Sequence, residues 1–263
     1  MNAISVQDQT GKLVLLPSPA VRIVSLVPSQ TELLAAIHLQ NEVIGITKFC
    51  VHPSDWFQQK IRVGGTKNVH IDRVRLMQPD LVIAGKEENR KDQVDEIADF
   101  CPVYTSNVTC YDDALQMIVD IGTLTGKFKE ALEIKHTIQA AFEKVTNSQR
   151  LTALYLIWRE PWMAAGNDTF IHSMLQMAGF ENVLHTESRY PALTSEQIIA
   201  LNPQVVLLSS EPYPFKEQHQ VALQALLPQA KVILANGEMF SWYGSRMQFA
   251  PTYFLKLQEQ LHL

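Results

Sequence analysis

Ile71-Asp72-Arg73-Val74-Arg75-Leu76-Met77-Gln78-Pro79-Asp80-Leu81-Val82-Ile83 returns in pattern as Ser195-Glu196-Gln197-Ile198-Ile199-Ala200-Leu201-Asn202-Pro203-Gln204-Val205-Val206-Leu207. Each copy reads as a short helix, a stop at proline and a buried strand, because proline cannot continue a helix and an unbroken apolar run suits a strand covered on both faces. Asp72 and Glu196 hold the same place in their copies, as do Pro79 and Pro203, and both pairs are offset by 124 positions. The repeat predicts two similar lobes with one acid at the same corner of each.

A second echo precedes the first. Residues 22–44 read as strand, loop and helix, then Leu39, Asn41 and Val43; residues 153–184 read the same way, then Phe180, Asn182 and Val183. Strands and helices alternate along the whole chain, which predicts an α/β fold of parallel sheets covered by helices. Strands are expected over 23–27, 43–47, 81–84 and 103–105, then over 154–158, 205–209 and 232–235. Ser29 with Glu32 suits a capping box opening a helix that carries Leu33, Leu34 and Ile37. Later helices should start near Asp168, at Thr194 with Gln197 three residues on, and near Ser245.

Residues 112–145 differ from both lobes. They contain no proline, Asp112 and Asp113 sit where a helix N-terminus favours acids, and apolar side chains recur from Leu115 through Leu124, Phe128 and Ile138 to Val145 at spacings of three and four. Read as one helix the segment would span ~50 Å at ~1.5 Å per residue, a rigid backbone between the lobes. A break near Gly122 or Gly126 into two helices is the alternative. The expected organisation is a lobe over 1–110, a linking helix over 111–147 and a lobe over 148–263.

A chain of 263 residues, 46% hydrophobic and 19% charged, is globular and long enough for one large or two small cores. Its net charge of −5 and the lack of a basic stripe exclude nucleic acid as the main partner. Cys50, Cys101 and Cys110 are odd in number and follow no zinc or haem-attachment spacing, so no disulfide framework is implied. Residues 1–10 are polar and the apolar run 13–16 is too short for a secretory leader, which places the protein in the cytoplasm if the sequence is complete. No apolar run reaches the ~20 residues of a membrane span, and a monomer without intrinsic cofactor is expected.

In open parallel sheets ligands bind beyond the carboxyl ends of the strands. Those loops carry Lys48, Phe49, Cys50 and His52, then Gly64 and Gly65, then Lys86 to Asn89 in the first half, and Trp158, Arg159, Trp162, Glu211, Tyr213, Phe215 and Trp242 in the second. Three of the four tryptophans lie there. Aromatic rings interleaved with charges suit a bulky, partly flat, polar-edged ligand, since rings bury much area at low entropic cost while charges fix orientation. Some of these rings could instead cap their sheet.

The opening Arg22-Ile23-Val24-Ser25-Leu26-Val27-Pro28-Ser29, the run Arg62-Val63-Gly64-Gly65-Thr66 and the run Pro79-Asp80-Leu81-Val82-Ile83 resemble the substrate-binding proteins of ABC importers for iron siderophores, haem and cobalamin. The resemblance covers nearly the whole chain, and the runs 158–166 and 237–246 look like the cobalamin-binding-protein-like branch. It implies a helical-backbone metal receptor: two Rossmann-like lobes joined by a backbone helix, a metal chelate bound in the cleft, delivery to an ABC permease, and a periplasmic or cell-surface location. By position it implies that Phe49 or Cys50, Gly85 or Lys86, Trp162 and Tyr190 line the cleft, and the loop reading adds Trp158, Arg159 and Trp242. It also implies that Asp72 and Glu196 engage arginines of a two-fold permease, a symmetric partner for equivalent acids. Asp72 is shorter than the family's usual glutamate, and acids in a first helical turn also stabilise the helix dipole.

The sequence shows no nucleophile elbow, phosphate loop or paired-histidine metalloprotease motif. Cys50 and His52 could form a nucleophile–base or metal-ligand pair, although side chains two apart on a strand share a face by default. The eight histidines follow no metal-ligand spacing, and His52 is the candidate axial ligand of a caged metal. The expected function is therefore capture and delivery of a corrinoid, haem or ferric siderophore without catalysis. The alternative is a cytosolic corrinoid or haem carrier, or an enzyme on the same scaffold.

Overall fold

The computed structural model describes residues 3–145 and 150–261. They fall into two compact units. The first comprises Met1–Val108, Asp112–Ile138 and Tyr243–Arg246; the second comprises Thr109–Tyr111, Gln139–Trp242 and Met247–Leu263.

The first unit opens with a hairpin, β1 (Ile4–Gln7) and β2 (Leu13–Leu16), turned by Asp8 and Gly11. It continues through β3 (Ile23–Ser25), α1 (Pro28–Ala36), β4 (Val43–Ile46), α2 (Ser54–Gln59), β5 (Ile61–Arg62), α3 (Ile71–Leu76), β6 (Leu81–Gly85), α4 (Lys91–Ala98) and β7 (Val103–Ser106). The five strands after the hairpin form one parallel sheet in the order β5-β4-β3-β6-β7. Every residue of β6 is buried, as expected for a central parallel strand.

The segment expected as one helix is two. α5 (Tyr111–Leu124) and α6 (Phe128–Phe142) are separated by a turn in which Gly126 adopts a left-handed φ of 68°. The last two residues of the expected helix, 146 and 147, lie outside the described residues. Gly122 stays helical for a different reason: a Cβ there would overlap the Ala131 methyl, so its absence lets the start of α6 fold back on the end of α5. The chain crosses from the first unit into the second within α6, between Ile138 and Gln139.

The second unit contains β8 (Leu151–Trp158), β9 (Trp162–Ala164), α7 (Phe170–Met177), β10 (Phe180–Asn182), β11 (Ala192–Leu193), α8 (Ser195–Leu201), β12 (Val205–Ser209), α9 (Glu217–Leu226), β13 (Lys231–Ala235), α10 (Glu238–Ser241) and α11 (Ala250–Leu261). Its parallel core runs β10-β8-β12-β13, the same order as β4-β3-β6-β7. The outer half of β8 carries an addition with no counterpart in the first unit, antiparallel β9 and then β11. Leu154, Leu156, Val206, Leu208, Leu223 and Val232 form the core beneath.

The repeat extends to individual hydrogen bonds. Gln78 and Asn202 end their helices with φ of 47° and 45°, directly before the two prolines. The next residues, Asp80 and Gln204, each clamp the start of a neighbouring strand: Asp80 accepts from the Val21 and Arg22 N–H groups at 2.9 Å, and Gln204 Oε1 accepts from Thr152 N–H at 2.9 Å. α8 has the expected capping box, Thr194 Oγ1 accepting from Gln197 N–H and Gln197 Oε1 accepting from Thr194 N–H.

The expected Ser29–Glu32 box is not formed. α1 begins at Pro28, whose fixed φ suits a first helical position, so Ser29 is already inside the helix. Glu32 instead receives Arg246 in a two-pronged ion pair, Nη2 to Oε1 at 2.6 Å and Nε to Oε2 at 2.8 Å. The helix expected near Ser245 is first a 3₁₀ turn over Ser245–Gln248, with α11 starting at Ala250.

Candidate functional site

In the second unit the carboxyl end of β8 delivers Trp158, which is 41% exposed, and the turn after it returns Trp162 on β9. Trp162 stacks on Phe215, centroids 6.1 Å apart and planes 8° apart, and the Arg159 guanidinium lies over the Trp162 ring at 5.4 Å. Trp158 meets Tyr213 edge-on at 5.5 Å, and Tyr213 meets Phe215 at 4.8 Å. The loop after β12 thus packs its rings against those of the β8–β9 turn.

His219 anchors this aromatic group from behind. Its Nδ1 accepts from Lys216 N–H at 2.9 Å, closing the N-terminus of α9, and its Nε2 lies 3.3 Å from the Tyr213 hydroxyl. Burial, then Arg159 and Lys216, hold its pKa below the ordinary value. The unfolded chain therefore takes up a proton first as pH falls below ~6.5. The contribution of neutral His219 is present above that value and is lost as pH falls through the folded pKa. The melting temperature should drop by a few degrees between pH 7.5 and 5.5, and His219→Gln should flatten that drop; an unchanged profile in the variant would assign the acid sensitivity elsewhere.

Further along the same strand ends, Trp242 Nε1–H donates to Glu211 Oε1 at 2.8 Å and Ser241 Oγ–H donates to the same oxygen at 2.6 Å. Ser209 bridges the loop backbone: its Oγ–H donates to Glu211 O and its Oγ accepts from Glu211 N–H. Burial pushes the Tyr155 hydroxyl well above its ordinary pKa, so it stays protonated and donates to Ser209 Oγ at 3.1 Å. Tyr190 is half-buried, with the Arg189 guanidinium 5.5 Å over its ring.

In the first unit the loop after β4 separates two neighbours. Phe49 is 50% exposed and lies under the Lys48 ammonium at 5.1 Å, whereas Cys50 is fully buried. The Cys50 thiol sits 3.1 Å from Thr31 Oγ1 and 3.2 Å from Thr47 Oγ1, and burial raises its pKa. Cys50 is thus inaccessible to a ligand as placed and is a poor nucleophile. The stretch between β4 and α2 is not a strand, so the expected face-sharing of Cys50 and His52 does not apply; His52 is half-buried.

Gly64 takes a φ of 110° in the turn of the Gly-Gly run, and Gly65 lies against Phe49 and Lys48. Lys86 is exposed beyond β6. The next loop residue to matter is Asn89. Its buried amide donates to Thr66 O at 2.9 Å and Leu26 O at 3.4 Å and accepts from Gly85 N–H at 2.9 Å, joining three strand-end loops. Asn89→Ala would leave these groups unpaired at ~1–3 kcal/mol each when fully buried. A loss of about 2 kcal/mol in denaturant unfolding is expected, and a loss below about 0.5 kcal/mol would remove Asn89 from this role.

Asp72 and Glu196 are both exposed in the first turns of α3 and α8. The Thr194 hydroxyl beside Glu196 and its backbone hydrogen bond hold its carboxyl below the usual range. Among the described residues no group of three or more His, Cys, Asp or Glu side chains is placed to hold a metal ion, and no helix is long and apolar enough to cross a membrane.

A profile of the family described as Periplasmic binding protein matches residues 23–231, from β3 to the start of β13. The chain belongs to the periplasmic binding protein family. This periplasmic binding protein is 23% identical over 205 residues to the vitamin B12-binding protein of Vibrio parahaemolyticus, covering 76% of this chain and 74% of that one. Its fold is that of the periplasmic vitamin B12 binding protein BtuF of Vibrio cholerae, with a TM-score of 0.79, 20% identity and coverage of 93% and 100%. It is also that of the periplasmic haem-binding protein HutB of Vibrio cholerae, with a TM-score of 0.78, 18% identity and coverage of 92% and 99%.

Within this periplasmic binding protein the structure gathers Trp158, Arg159 and Trp162 with two rings that sequence reading left among the loop residues, Tyr213 and Phe215. His219 was missed altogether, although its place three residues after the helix boundary at Lys216 is the spacing of a reciprocal cap.

Proposed function

We propose that this periplasmic binding protein captures a metal chelate, a cobalamin-like corrinoid, haem or ferric siderophore, and delivers it unchanged to an ABC importer. The observation that carries the reading is the exposed face of Trp158 beside the Arg159–Trp162–Phe215 ladder at the end of β8. A ring surface edged by a cation suits a flat ligand with polar margins. The naming of similar proteins for vitamin B12 and haem supports the same class. Phe49, Lys86, Tyr190 and Trp242 are the further groups offered to the ligand by the strand-end loops, and His52 is the candidate axial ligand. Fluorescence titration with cyanocobalamin, haemin and ferrichrome tests the reading. Saturable quenching at micromolar or lower concentration by one of them is expected, and no quenching by any would overturn it.

The two acids carry the delivery half. Asp72 and Glu196 occupy equivalent, solvent-exposed first turns of α3 and α8, where a partner with two equivalent cationic sites would engage both. Asp72→Ala with Glu196→Ala should leave ligand affinity within two-fold and reduce uptake at least about ten-fold, the loss of ~1.4 kcal/mol of docking energy. Uptake at the unsubstituted rate would remove the acids from docking.

A further inference from the structure

We propose that Glu211 is a positioning residue for ligand binding, setting the orientation of the Trp242 indole. The proposal rests on the reading of Trp242 as a ligand-facing ring. Glu211 Oε1 receives both the Trp242 indole N–H at 2.8 Å and the Ser241 hydroxyl at 2.6 Å. One carboxylate oxygen therefore ties the loop after β12 to the end of α10. Its own place is fixed on the other side, where Ser209 Oγ bonds both the N–H and the carbonyl of Glu211 and is itself held by Tyr155.

The packing leaves this arrangement little freedom. A Cβ on Gly237 would overlap Ser209 Oγ and come within 2.7 Å of Glu211 Cγ, so the backbone at the start of α10 lies directly against the carboxylate stem. An indole on a single-residue C-cap such as Trp242 has two torsions to settle. A charge-assisted hydrogen bond to its only donor removes most of that freedom before ligand arrives. Ordering the ring in advance lowers the entropic cost of binding and fixes the plane it presents. A face presented by Trp242 would then be selective for a ligand plane of one inclination, so Glu211 influences which flat chelates are admitted without touching them.

The test combines affinity with an NMR signature in the full chain. The Trp242 indole N–H resonance is assigned by its loss in Trp242→Phe, and cyanocobalamin, haemin and ferrichrome are titrated in turn. Glu211→Ala should weaken the ligand that the unsubstituted protein binds about five- to ten-fold, move the Trp242 indole resonance and speed its exchange with solvent. Glu211→Gln, whose amide oxygen can still accept both bonds, should restore affinity and resonance. In a Trp242→Phe background, Glu211→Ala should cost nothing further. Normal affinity in Glu211→Ala, an unmoved indole resonance, or an equal loss with and without Trp242 would each overturn the positioning role while leaving the capture reading standing. Failure of the unsubstituted protein to bind all three probes would overturn both.

Discussion

Trp162→Ala is expected to weaken ligand binding at least ten-fold and to lower the stability of the second unit in the same protein. The ring touches both the Arg159 guanidinium and Phe215, and it packs partly buried on the core beneath β8 and β12. Removing ~60 Å² of apolar contact with a ligand, at ~25 cal/mol per Å², loses ~1.5 kcal/mol and thus about ten-fold in affinity. Truncating a wholly buried tryptophan costs ~3–5 kcal/mol, and half-burial brings the folding loss nearer ~2 kcal/mol. Trp162→Phe separates the two effects, since a smaller ring can keep the stack on Phe215 and most of the stability. Affinity unchanged in Trp162→Ala, with the second unit folded, would take Trp162 out of the binding surface and leave Trp158 as its centre.

Glu32→Leu should destabilise the first unit by about 3 kcal/mol. The carboxylate and Arg246 retain only 19% and 13% of their side-chain exposure and meet through two parallel hydrogen bonds. Removing one member of a buried ion pair costs ~3–5 kcal/mol, and the residual exposure of both side chains places this pair near the lower bound. Replacing both, Glu32→Leu with Arg246→Leu, should recover much of the loss, a coupling that urea unfolding of the four proteins would read. Additive losses would show that neither charge depends on the other.

What was legible in the sequence follows from how local its cause is. Strands β6 and β12 announced themselves as unbroken apolar runs after a proline, and the capping box of α8 needs only four residues. The turn at Gly126 was harder to place because Leu124 and Phe128 keep the spacing of four across it, so the apolar phase continues while the backbone does not. Ser29 misled because Pro28 starts α1 one position earlier, and the true partner of Glu32 lies 214 positions away, beyond any local pattern. The strand-end loops can be located from the strands that precede them, yet which of Phe49 and Cys50 faces outward depends on an irregular loop with no period to read. The ring group built from Trp158, Trp162, Tyr213 and Phe215 likewise depends on strands β8 and β12 being neighbours, a tertiary fact.

The short segment Tyr243–Arg246 belongs to the first unit although the chain before and after it belongs to the second. On the ribosome, where the N-terminal part of a chain emerges first, Glu32 waits for a cation made 214 residues later. A truncated product that stops after α6 therefore carries this acid without Arg246 and lacks one segment of the first unit. Completion of the first unit is in this way made conditional on residues that follow most of the second in the order of the chain.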